Sequence, residues 1–383
     1  MKKKLIRITT VPISLKILLN DQLKFMSRHF KVVGISSDEK ELLEVTRFED
    51  IRTIPLNMSR EITPIKDLIS LIKMIIVLIK EKPEIVHTHT PKAGIVGMMA
   101  AFICRVPHRL HTVAGLPVME AVGKKKKLLL FVEKLTYACS TKIYPNSKGL
   151  EKYILNNNLT KKEKLKVIGY GSSNGVDTDH FKKTNDVMMT SREILKKYSL
   201  ENQFVFCFVG RIVKDKGVNE LLSSFDKLSK IFSDVKLLLV GNQEEELDPI
   251  SDTSKKILIE NKNIINIGFQ NDIRPFLSSS NCFVFPTYRE GFPNVVLQAC
   301  SMELPCIVTN INGCNEIIEH DKNGLIVEPK NKNELYNAMK IFLDDKKLSN
   351  KLSLNIREDI ITKYDRKQFF EYLLNEYNEV LND

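Results

Sequence analysis

The chain has 383 residues, of which 43% are hydrophobic and 27% are charged, an ordinary composition for soluble globular domains. This length suits two domains, and the composition excludes a disordered chain, a collagen and a small disulfide-stabilised protein. Seven cysteines without a C-x-x-C pair are typical of a reducing compartment and argue against a zinc knuckle.

Charge is unevenly distributed along the chain. Residues 1–183 contain 33 Lys and Arg against 17 Asp and Glu, whereas residues 184–383 contain 25 against 30. A basic half joined to a mildly acidic half predicts two domains with different partners. The alternative, a general lysine bias of the genome, does not explain why the second half is spared.

The first half alternates short β-rich runs with helical segments. Strands are predicted at 4–10, 30–36, 84–89, 109–113, 141–144 and 166–168, and helices at 13–29, 64–80 and 94–104. The stretch 65–79 is interrupted by Lys66, Asp67 and Lys73. A membrane span needs about 20 apolar residues, so none is predicted, and we find no obvious signal peptide.

The alternation of strands and helices begins again in the second half of the chain. Strands are predicted at 203–209, 235–240, 264–267, 282–286 and 306–309, with a helix at 219–232. Strands alternating with helices predict an α/β protein with two doubly wound parallel-sheet domains facing a cleft. We expect a first domain at 1–183, a second at 184–365, and a terminal helix at 366–383 that packs back on the first. No nucleic-acid-binding motif is found.

One cluster of glycines and cations follows the predicted strand 203–209. It contains Gly210, Arg211, Lys216 and Gly217. Glycine permits close backbone approach and the cations neutralise negative charge, so the cluster suits a phosphate. An ordinary turn with solvated lysines is the alternative interpretation.

A second cluster follows the predicted strand 282–286. Glu290 and Gly291 lie in a loop, and a helix is predicted to begin near Pro293, where the free amides of the first turn suit an anion. Asn294 and Gln298 are four residues apart and share a helix face. In the alternative interpretation, Glu290 caps its own helix and Gln298 is a partly buried polar residue.

Together these segments resemble the retaining, sugar-nucleotide-dependent glycosyltransferases of the GT-B fold, in the Glu-x7-Glu group called family 4 or group 1. The G-R-x-x-x-x-K-G cluster, the E-G-F-P segment, 312–316 and 323–327 occur in that family's order, and so do 174–177 with Phe181. Segments 87–94 and 171–175 make the first half most similar to bacterial enzymes of capsule, O-antigen and glycan-lipid assembly.

The resemblance implies roles for individual residues. Arg211 and Lys216 are expected to hold the donor diphosphate and to stabilise the leaving group in place of a metal, and Glu290 to bond the donor sugar. These three are the predicted catalytic residues, and no cofactor or metal is expected. The remaining predicted donor contacts are Gly210, Gly268, Phe269, Gln270, Gly291, Phe292, Pro293, Asn294, Val295 and Gln298.

The chain departs from the family pattern at Gln298 and Ala114, and segment 9–14 also lacks the family's usual Gly-Gly in the first strand-to-helix loop. Gln298 replaces the second motif glutamate, which keeps one acceptor for the ribose and adds donors. Ala114 stands where many members have a histidine, so His87, His89 and His111 are the nearest alternatives. The predicted acceptor contacts are His89, Lys92, His111, Ser172 and Asn174. The alternative is that the histidines are structural and hydrogen-bonded.

Four consecutive lysines precede an apolar run. Lys124, Lys125, Lys126 and Lys127 are followed by the run 128–132, a combination that suits contact with an anionic membrane surface. The alternative is a solvated loop followed by a core helix. For segment 64–80, packing on the core is the preferred interpretation, and a second membrane contact is the alternative.

These inferences predict a retaining glycosyltransferase, peripheral on the cytoplasmic face of the plasma membrane. We expect it to move a hexose or N-acetylhexosamine from a nucleotide sugar, with UDP the expected nucleotide, to a polyprenyl-diphosphate-linked saccharide. The alternatives are a GT-B sugar-nucleotide epimerase and a catalytically weak membrane-bound scaffold. The joint presence of Arg211, Lys216 and Glu290 favours the transferase.

Overall fold

Two six-stranded parallel sheets organise the chain. The computed structural model describes residues 2–59, 63–119, 121–246, 248–345, 347–354 and 356–382. The chain divides into a first unit, Met1–Asn174 with Arg366–Asp383, and a second unit, Gly175–Asp365.

The sheet of the first unit has the strand order β3-β2-β1-β4-β5-β6. Its strands are β1 Lys4–Ile8, β2 Lys31–Ser36, β3 Arg52–Pro55, β4 Ile85–Thr88, β5 His108–Val113 and β6 Lys142–Pro145. The central strands are buried along most of their length. This burial explains their nearly continuous apolar sequences, because helices cover both faces of a parallel sheet.

Within its described residues, the first unit contains six α-helices before the chain enters the second unit. They are α1 Gln22–Ser27, α2 Glu39–Glu49, α3 Pro64–Glu81, α4 Pro91–Ile103, α5 Gly123–Cys139 and α6 Lys148–Asn156. Side chains cap two of them: Asp38 accepts from the first amides of α2, and Ser147 accepts from the Leu150 amide in α6. Prolines begin α3 and α4, where a missing amide hydrogen costs nothing.

The sheet of the second unit has the order β12-β11-β10-β7-β8-β9. Its strands are β7 Phe204–Val209, β8 Val235–Val240, β9 Ile264–Gly268, β10 Cys282–Phe285, β11 Cys306–Thr309 and β12 Gly324–Val327. Read from the other edge, this order is β9-β8-β7-β10-β11-β12, which is the order of the first unit when β7 is counted as the first strand. Both units therefore have the doubly wound arrangement in which ligands bind where the strand order reverses.

Nine helices of the second unit lie within its described residues. They are α7 Asn185–Lys197, α8 Val218–Ser229, α9 Asp252–Glu260, α10 Arg274–Ser278, α11 Asn294–Ser301, α12 Cys314–Ile317, α13 Lys332–Asp344, α14 Leu348–Ser353 and α15 Ile356–Tyr364. Their buried side chains join the strands in one hydrophobic core.

The terminal helix α16, Arg366–Asn382, lies in the first unit. Its apolar side chains, including Phe370 and Leu373, pack in a core with Leu5 of β1. The Tyr377 hydroxyl lies 2.7 Å from a guanidinium nitrogen of Arg7 and 2.7 Å from Nδ1 of His87. The helix thus completes the polar and apolar interior of the first unit, and its Tyr377 lies 370 residues after its partner Arg7 in the sequence.

The boundary between the units lies earlier than the predicted 183/184. The Val176 amide donates to the carbonyl of Tyr364 over 2.9 Å, and both Val176 and Phe181 pack in the core of the second unit. These contacts assign residues 175–183 to the second unit.

Other predicted elements also differ from the structure. The predicted strand 166–168 is absent, since only an isolated bridge joins Leu165 to Ile143. The predicted helix 13–29 is divided into a π-helical segment, Ser14–Leu18, and α1, because Asp21 adopts a left-handed backbone conformation. Elements α2, β3 and β12 were not predicted. No helix in the described ranges combines the length and apolarity needed to cross a bilayer.

Candidate active site

The candidate site of the second unit lies where β7 and β10 are neighbours. The chain continues from β7 to β8 on one side and from β10 to β11 on the other, so the strand order reverses between β7 and β10. The segments after these two strands carry Arg211, Lys216 and Glu290. This position is where doubly wound sheets bind their ligands.

Lys216 and Glu290 form an ion pair that joins the two segments. Both side chains are partly exposed, and the ammonium of Lys216 lies 5.8 Å from the ring centre of Phe285. The cation is therefore held at the end of β10 by a carboxylate and an aromatic face. A phosphate group could reach it because the pair is not sealed from solvent.

Glycine is required where these two segments meet. Gly217 has a φ of +69°, and a Cβ at this position would lie 1.9 Å from the carbonyl oxygen of Pro286. The amide of Tyr288 donates to the carbonyl of Asp215 over 2.9 Å, and Arg289 forms an ion pair with Asp215 at 3.1 Å. This packing keeps Lys216 close to Glu290 without any ligand.

A third segment, which follows β11, holds the Glu290 loop through hydrogen bonds to its backbone. The side-chain amide of Asn312 donates to the carbonyl of Glu290 and, over 3.3 Å, to that of Gly291. Gly313 has a φ of +78°, and a Cβ there would lie 2.7 Å from the Gly291 carbonyl oxygen. Sequence reasoning placed Asn312 in a family motif but did not identify it as the residue that positions the Glu290 loop.

Arg211 is the second predicted phosphate-binding cation. Its guanidinium forms an ion pair with Glu244 at 2.7 Å, and its side chain is 47% exposed. Glu244 follows β8, which is the neighbour of β7. Sequence reasoning missed Glu244, although the carboxyl ends of adjacent parallel strands are expected to meet. Both candidate phosphate-binding cations are therefore paired with carboxylates of the chain.

The predicted donor contacts Gly268, Phe269 and Gln270 lie at the end of β9. The Phe269 ring is 65% exposed, and the Phe269 amide donates to the side-chain oxygen of Asn242 over 3.2 Å. Gly268, with a φ of +75°, has open space where a Cβ would stand. The side-chain amide of Gln270 bonds the carbonyl of Ile267 over 3.4 Å. An exposed aromatic ring on a fixed backbone is available to stack on a flat ligand.

Helix α11 begins directly after Pro293. Asn294 and Val295 are half-buried in its first turn, and Gln298 is half-buried one turn later. Phe292 is buried against the ring of Tyr364, with 5.5 Å between ring centres. The structure therefore brings the predicted donor residues of 290–298 to the end of β10.

The predicted acceptor residue His89 is buried within the first unit. Its ring stacks on His87 with 4.8 Å between centres, and its Nε2 contacts the guanidinium of Arg7. Burial and the neighbouring Arg7 charge hold the pKa of both histidines well below the usual value. The shared face agrees with strand alternation, but these contacts favour the interpretation that His87 and His89 are structural.

His111 is also enclosed by protein. Its Nδ1 lies 2.7 Å from the hydroxyl oxygen of Thr88, and burial lowers the pKa of His111 to about 4. Gly94 of α4 packs so closely that a Cβ there would lie 2.6 Å from the imidazole ring. His111 is therefore a neutral core residue at pH 7.

The other predicted acceptor residues have protein partners too. Asn174 accepts from the side chain of Gln22 over 2.9 Å and donates to the carbonyl of Asn20 over 2.9 Å. Ser172 is buried, and Lys92 forms an ion pair with Asp67 at 2.5 Å. The cavity that His89 and Ser172 line has a volume of about 10 Å³, room for one water and not for a sugar.

The predicted membrane lysines lie in a helix and not in a loop. Helix α5 begins at Gly123, so the four lysines form its first turn. Lys124, Lys125 and Lys127 are exposed, as are Leu128 and Phe131 that follow. Across the described ranges, no group of three or more His, Cys, Asp or Glu side chains is arranged to hold a metal ion.

Fold and site together define a protein of two doubly wound α/β units with a charged site at a strand reversal, and sequence comparison specifies the family. A family model described as glycosyl transferases group 1 matches residues 190–359, and one described as glycosyl transferase 4-like matches residues 16–147. The capsular polysaccharide biosynthesis glycosyltransferase CapM of Staphylococcus aureus is 36% identical over 100% of this chain and 98% of its own. The chain therefore belongs to the group 1 glycosyltransferases and is a glycosyltransferase.

Two further comparisons extend this assignment. An Escherichia coli UDP-Gal:α-D-GlcNAc-diphosphoundecaprenol α-1,3-galactosyltransferase is 31% identical over 80% of this chain and 78% of its own. The crystal structure of HepE from Anabaena in complex with UDP superposes with a TM-score of 0.82 at 18% identity, over 99% of this chain and 100% of that chain. The predicted GT-B fold is thereby confirmed.

Proposed function

We propose that this glycosyltransferase moves a hexose or N-acetylhexosamine from a UDP-sugar to a polyprenyl-diphosphate-linked saccharide, with retention at the anomeric carbon. The observation that carries the proposal is the ion pair of Lys216 with Glu290 between the segments that follow β7 and β10, with Arg211 on the first of these segments. Two cations and a carboxylate at the strand reversal are the groups needed to hold a diphosphate and a sugar.

Binding of the donor exchanges ionic partners. A diphosphate competes with Glu290 for Lys216 and with Glu244 for Arg211; the Arg211 pair is exposed and the Lys216 pair is half-buried. An exposed pair such as Arg211–Glu244 contributes little to stability, typically about 0–1 kcal/mol, so its exchange costs little, and Lys216 keeps an anionic partner when phosphate replaces the carboxylate. The Glu290 carboxylate is then free to accept hydrogen bonds from sugar hydroxyls.

The two cations also stabilise the leaving group. Negative charge develops on the diphosphate as its bond to the anomeric carbon breaks, and fixed cations at that point lower the barrier. In this proposal Arg211 and Lys216 supply the charge that a divalent metal supplies elsewhere. The proposed reaction therefore needs no metal cofactor.

Retention requires the new bond to form on the face that the diphosphate leaves. The acceptor oxygen bonds the anomeric carbon while the carbon–diphosphate bond breaks, and the acceptor proton passes to an oxygen of the leaving diphosphate. No protein base is needed for this series of steps. This agrees with the buried, partnered state of His87, His89 and His111.

Several observations support UDP and a lipid-linked acceptor. The E. coli relative takes its name from a UDP-Gal donor and a diphosphoundecaprenol acceptor, and HepE was crystallised with UDP. The exposed Phe269 ring suits stacking of the uracil, and Gln298 keeps an acceptor for the ribose hydroxyls. The net positive charge of residues 1–183 suits a diphosphate acceptor at an anionic membrane surface.

We propose that the enzyme acts in capsule or related polysaccharide assembly, peripheral on the cytoplasmic membrane face.

The first test is calorimetric binding of UDP, GDP, ADP and TDP. We expect micromolar UDP binding that is lost in Arg211→Ala and kept in the control Lys230→Ala, which removes a cation at the end of α8. UDP-sugars are then incubated with lipid-diphosphate-linked saccharides, and product configuration is read by NMR. Absence of any nucleotide binding overturns the proposal in favour of a scaffold, and isomerised sugar with free UDP in the absence of acceptor favours an epimerase.

A further inference from the structure

Helix α3 has two apolar faces, and among the described residues only one of them packs on protein. The inner face buries Met74 and Leu78 in the core of the first unit, with Ser70 beside them. The Ser70 hydroxyl donates to the carbonyl of Asn57 over 2.6 Å. This face is sufficient to hold the helix on the sheet, so the opposite face is not needed for the fold.

The outer face of α3 carries six large aliphatic side chains that are between 50% and 78% exposed. Their spacing of three, four and seven residues places them in one stripe along the whole helix. The stripe consists of Ile65, Leu68, Ile69, Ile72, Ile76 and Ile79. A contiguous exposed stripe of this length marks an interaction surface.

The charges beside this stripe are all positive. Lys66, Lys73 and Lys80 are exposed and seven residues apart, so they form a row along one edge of the stripe. The two acidic residues of α3 are neutralised by partners on the protein. Asp67 pairs with Lys92, and Glu81 with Lys4 and Arg52.

The adjoining helices present similar groups. Helix α4 packs against both α3 and α5, so the three helices form one layer. Phe102 and Ile103 at the end of α4 are more than half exposed. The first turns of α5 carry the exposed lysines already described, with Leu128 and Phe131. Cations and large apolar side chains thus recur across this layer.

We propose that the outer face of α3 docks the first unit on an anionic lipid membrane, with the helix lying in the plane of the interface. Aliphatic side chains enter the acyl boundary while the lysine row contacts the headgroups. A second copy packed antiparallel on this face fits less well, because that arrangement brings the two lysine rows side by side. The docking is consistent with the proposed lipid-linked acceptor and deepens that proposal by naming the surface.

The test is cosedimentation of the full chain with vesicles of phosphatidylglycerol and phosphatidylcholine. The triple variant Ile69→Gln, Ile72→Gln, Ile76→Gln is expected to lose at least about tenfold in partitioning. The matched control changes three exposed aliphatic residues of the second unit. It is Ile231→Gln, Ile259→Gln, Leu354→Gln, whose side chains are 61%, 83% and 68% exposed, and it is expected to bind as wild type does.

The lysine row is tested separately. Replacing Lys66, Lys73 and Lys80 by glutamine is expected to lower binding to phosphatidylglycerol vesicles by on the order of fivefold per lysine at low salt. Binding to pure phosphatidylcholine is expected to stay unchanged. The same replacement at Lys124 to Lys127 shows whether α5 contributes to the same surface.

Thermal melting and UDP binding of each variant establish that it is folded. Wild-type binding by the α3 triple variant, or no vesicle binding by the wild type, overturns the docking proposal. Loss of self-association in that variant with unchanged vesicle binding assigns the face to a second copy instead. Transfer to a water-soluble short-chain acceptor is measured without vesicles, so failure of the enzymatic proposal is distinguishable from failure of docking.

Discussion

The two units share one strand order but place their cations in opposite environments. In the first unit Arg7 is fully buried, and its hydrogen-bond partners are neutral: Tyr377, Gln22 and His89. In the second unit Arg211 and Lys216 are accessible and each is paired with a carboxylate. Strand order determines where these charged groups lie, and solvent access determines whether they can exchange one ionic partner for another.

This difference separates a structural cation from an exchangeable one. Arg7 lies in a low-dielectric interior, where burial lowers its pKa and a lost partner leaves polar groups unpaired. Arg211 and Lys216 can exchange a carboxylate for a phosphate, because water screens the groups during the exchange. We therefore expect mutations in the Arg7 network to change stability and mutations of Arg211 and Lys216 to change turnover.

The largest effect is expected from Lys216→Ala. Removal of a charge that stabilises the leaving group should lower turnover by about 10²- to 10³-fold and weaken UDP binding. The control is Lys214→Ala in the same segment, where the side chain is exposed. Initial rates with saturating UDP-sugar and calorimetry on both variants check this, and normal turnover in Lys216→Ala removes the residue from the phosphate site.

Acid should weaken the buried histidine cluster of the first unit. His111 has a folded pKa of about 4, lowered by burial, whereas the unfolded chain has the ordinary value near 6.5. The unfolded state therefore binds more protons between these values, and stability falls as the pH drops through this window. The loss reaches about 3 kcal/mol for His111, with His87 and His89 acting in the same direction. Burial raises the pKa of Glu49 and of Glu133 in the same unit to about 7, so protonation of these two carboxyl groups acts in the opposite direction.

Hydrogen exchange measured by mass spectrometry resolves the two units. Peptides of β4 and β5 should lose protection between pH 7 and pH 5, after correction for intrinsic exchange, while peptides of β7 and β10 should not. Equal loss of protection in both units contradicts this assignment.

A smaller stability effect is expected from Tyr377→Phe. The hydroxyl bonds both Arg7 and His87 in the interior, so its removal should cost about 1–3 kcal/mol. Urea unfolding followed by circular dichroism measures the change. Tyr372→Phe on the same helix is the control, and unchanged UDP binding would show that the second unit is intact. Equal stability of Tyr377→Phe and wild type would show that the buried network is not stabilising.

The Glu244→Gln variant should bind UDP more tightly, by about two- to fivefold, because the diphosphate no longer competes with a carboxylate for Arg211. Glu245→Gln is a matched control, since it removes a charge from the same segment but its partner is Lys255. Titration calorimetry at low salt measures both. Weaker binding by Glu244→Gln would mean that Glu244 positions Arg211 and does not compete for it.

No effect is expected from chelation of divalent metals. Arg211 and Lys216 provide the positive charge in the proposed reaction, so EDTA should leave the transfer rate within about twofold of the untreated rate. The assay uses a metal-free soluble acceptor. Strict dependence of the rate on added Mg²⁺ or Mn²⁺ contradicts the proposed role of the two cations.

The same difference between the units explains what could be predicted from sequence. Strands β8 and β11 were predicted with their observed bounds, because both are mostly apolar runs buried on two faces. The polar helix α2 and the short edge strand β3 carry no such signal and were missed.

The site residues also divide into those that a local sequence pattern could predict and those that it could not. The pattern of glycines and charges around Lys216 and Glu290 is local and could be recognised in sequence. Glu244 and Asn312 reach the site only because β8 and β11 are neighbours of β7 and β10, a fact set by sheet order. Strand alternation placed His87 and His89 on one face but could not show that Arg7 and α16 cover that face.

The position of α16 has a consequence during protein synthesis. The first unit is encoded by two separated stretches, and the entire second unit lies between them. Ribosomes deliver about 5–20 residues per second, so β1 waits roughly twenty seconds or more for Tyr377 to emerge. During that interval Arg7 has no hydroxyl partner from α16 and Leu5 lacks its apolar cover. A premature stop codon just before Arg366 should therefore expose the unit made first to chaperones and proteases, while the unit made second can fold.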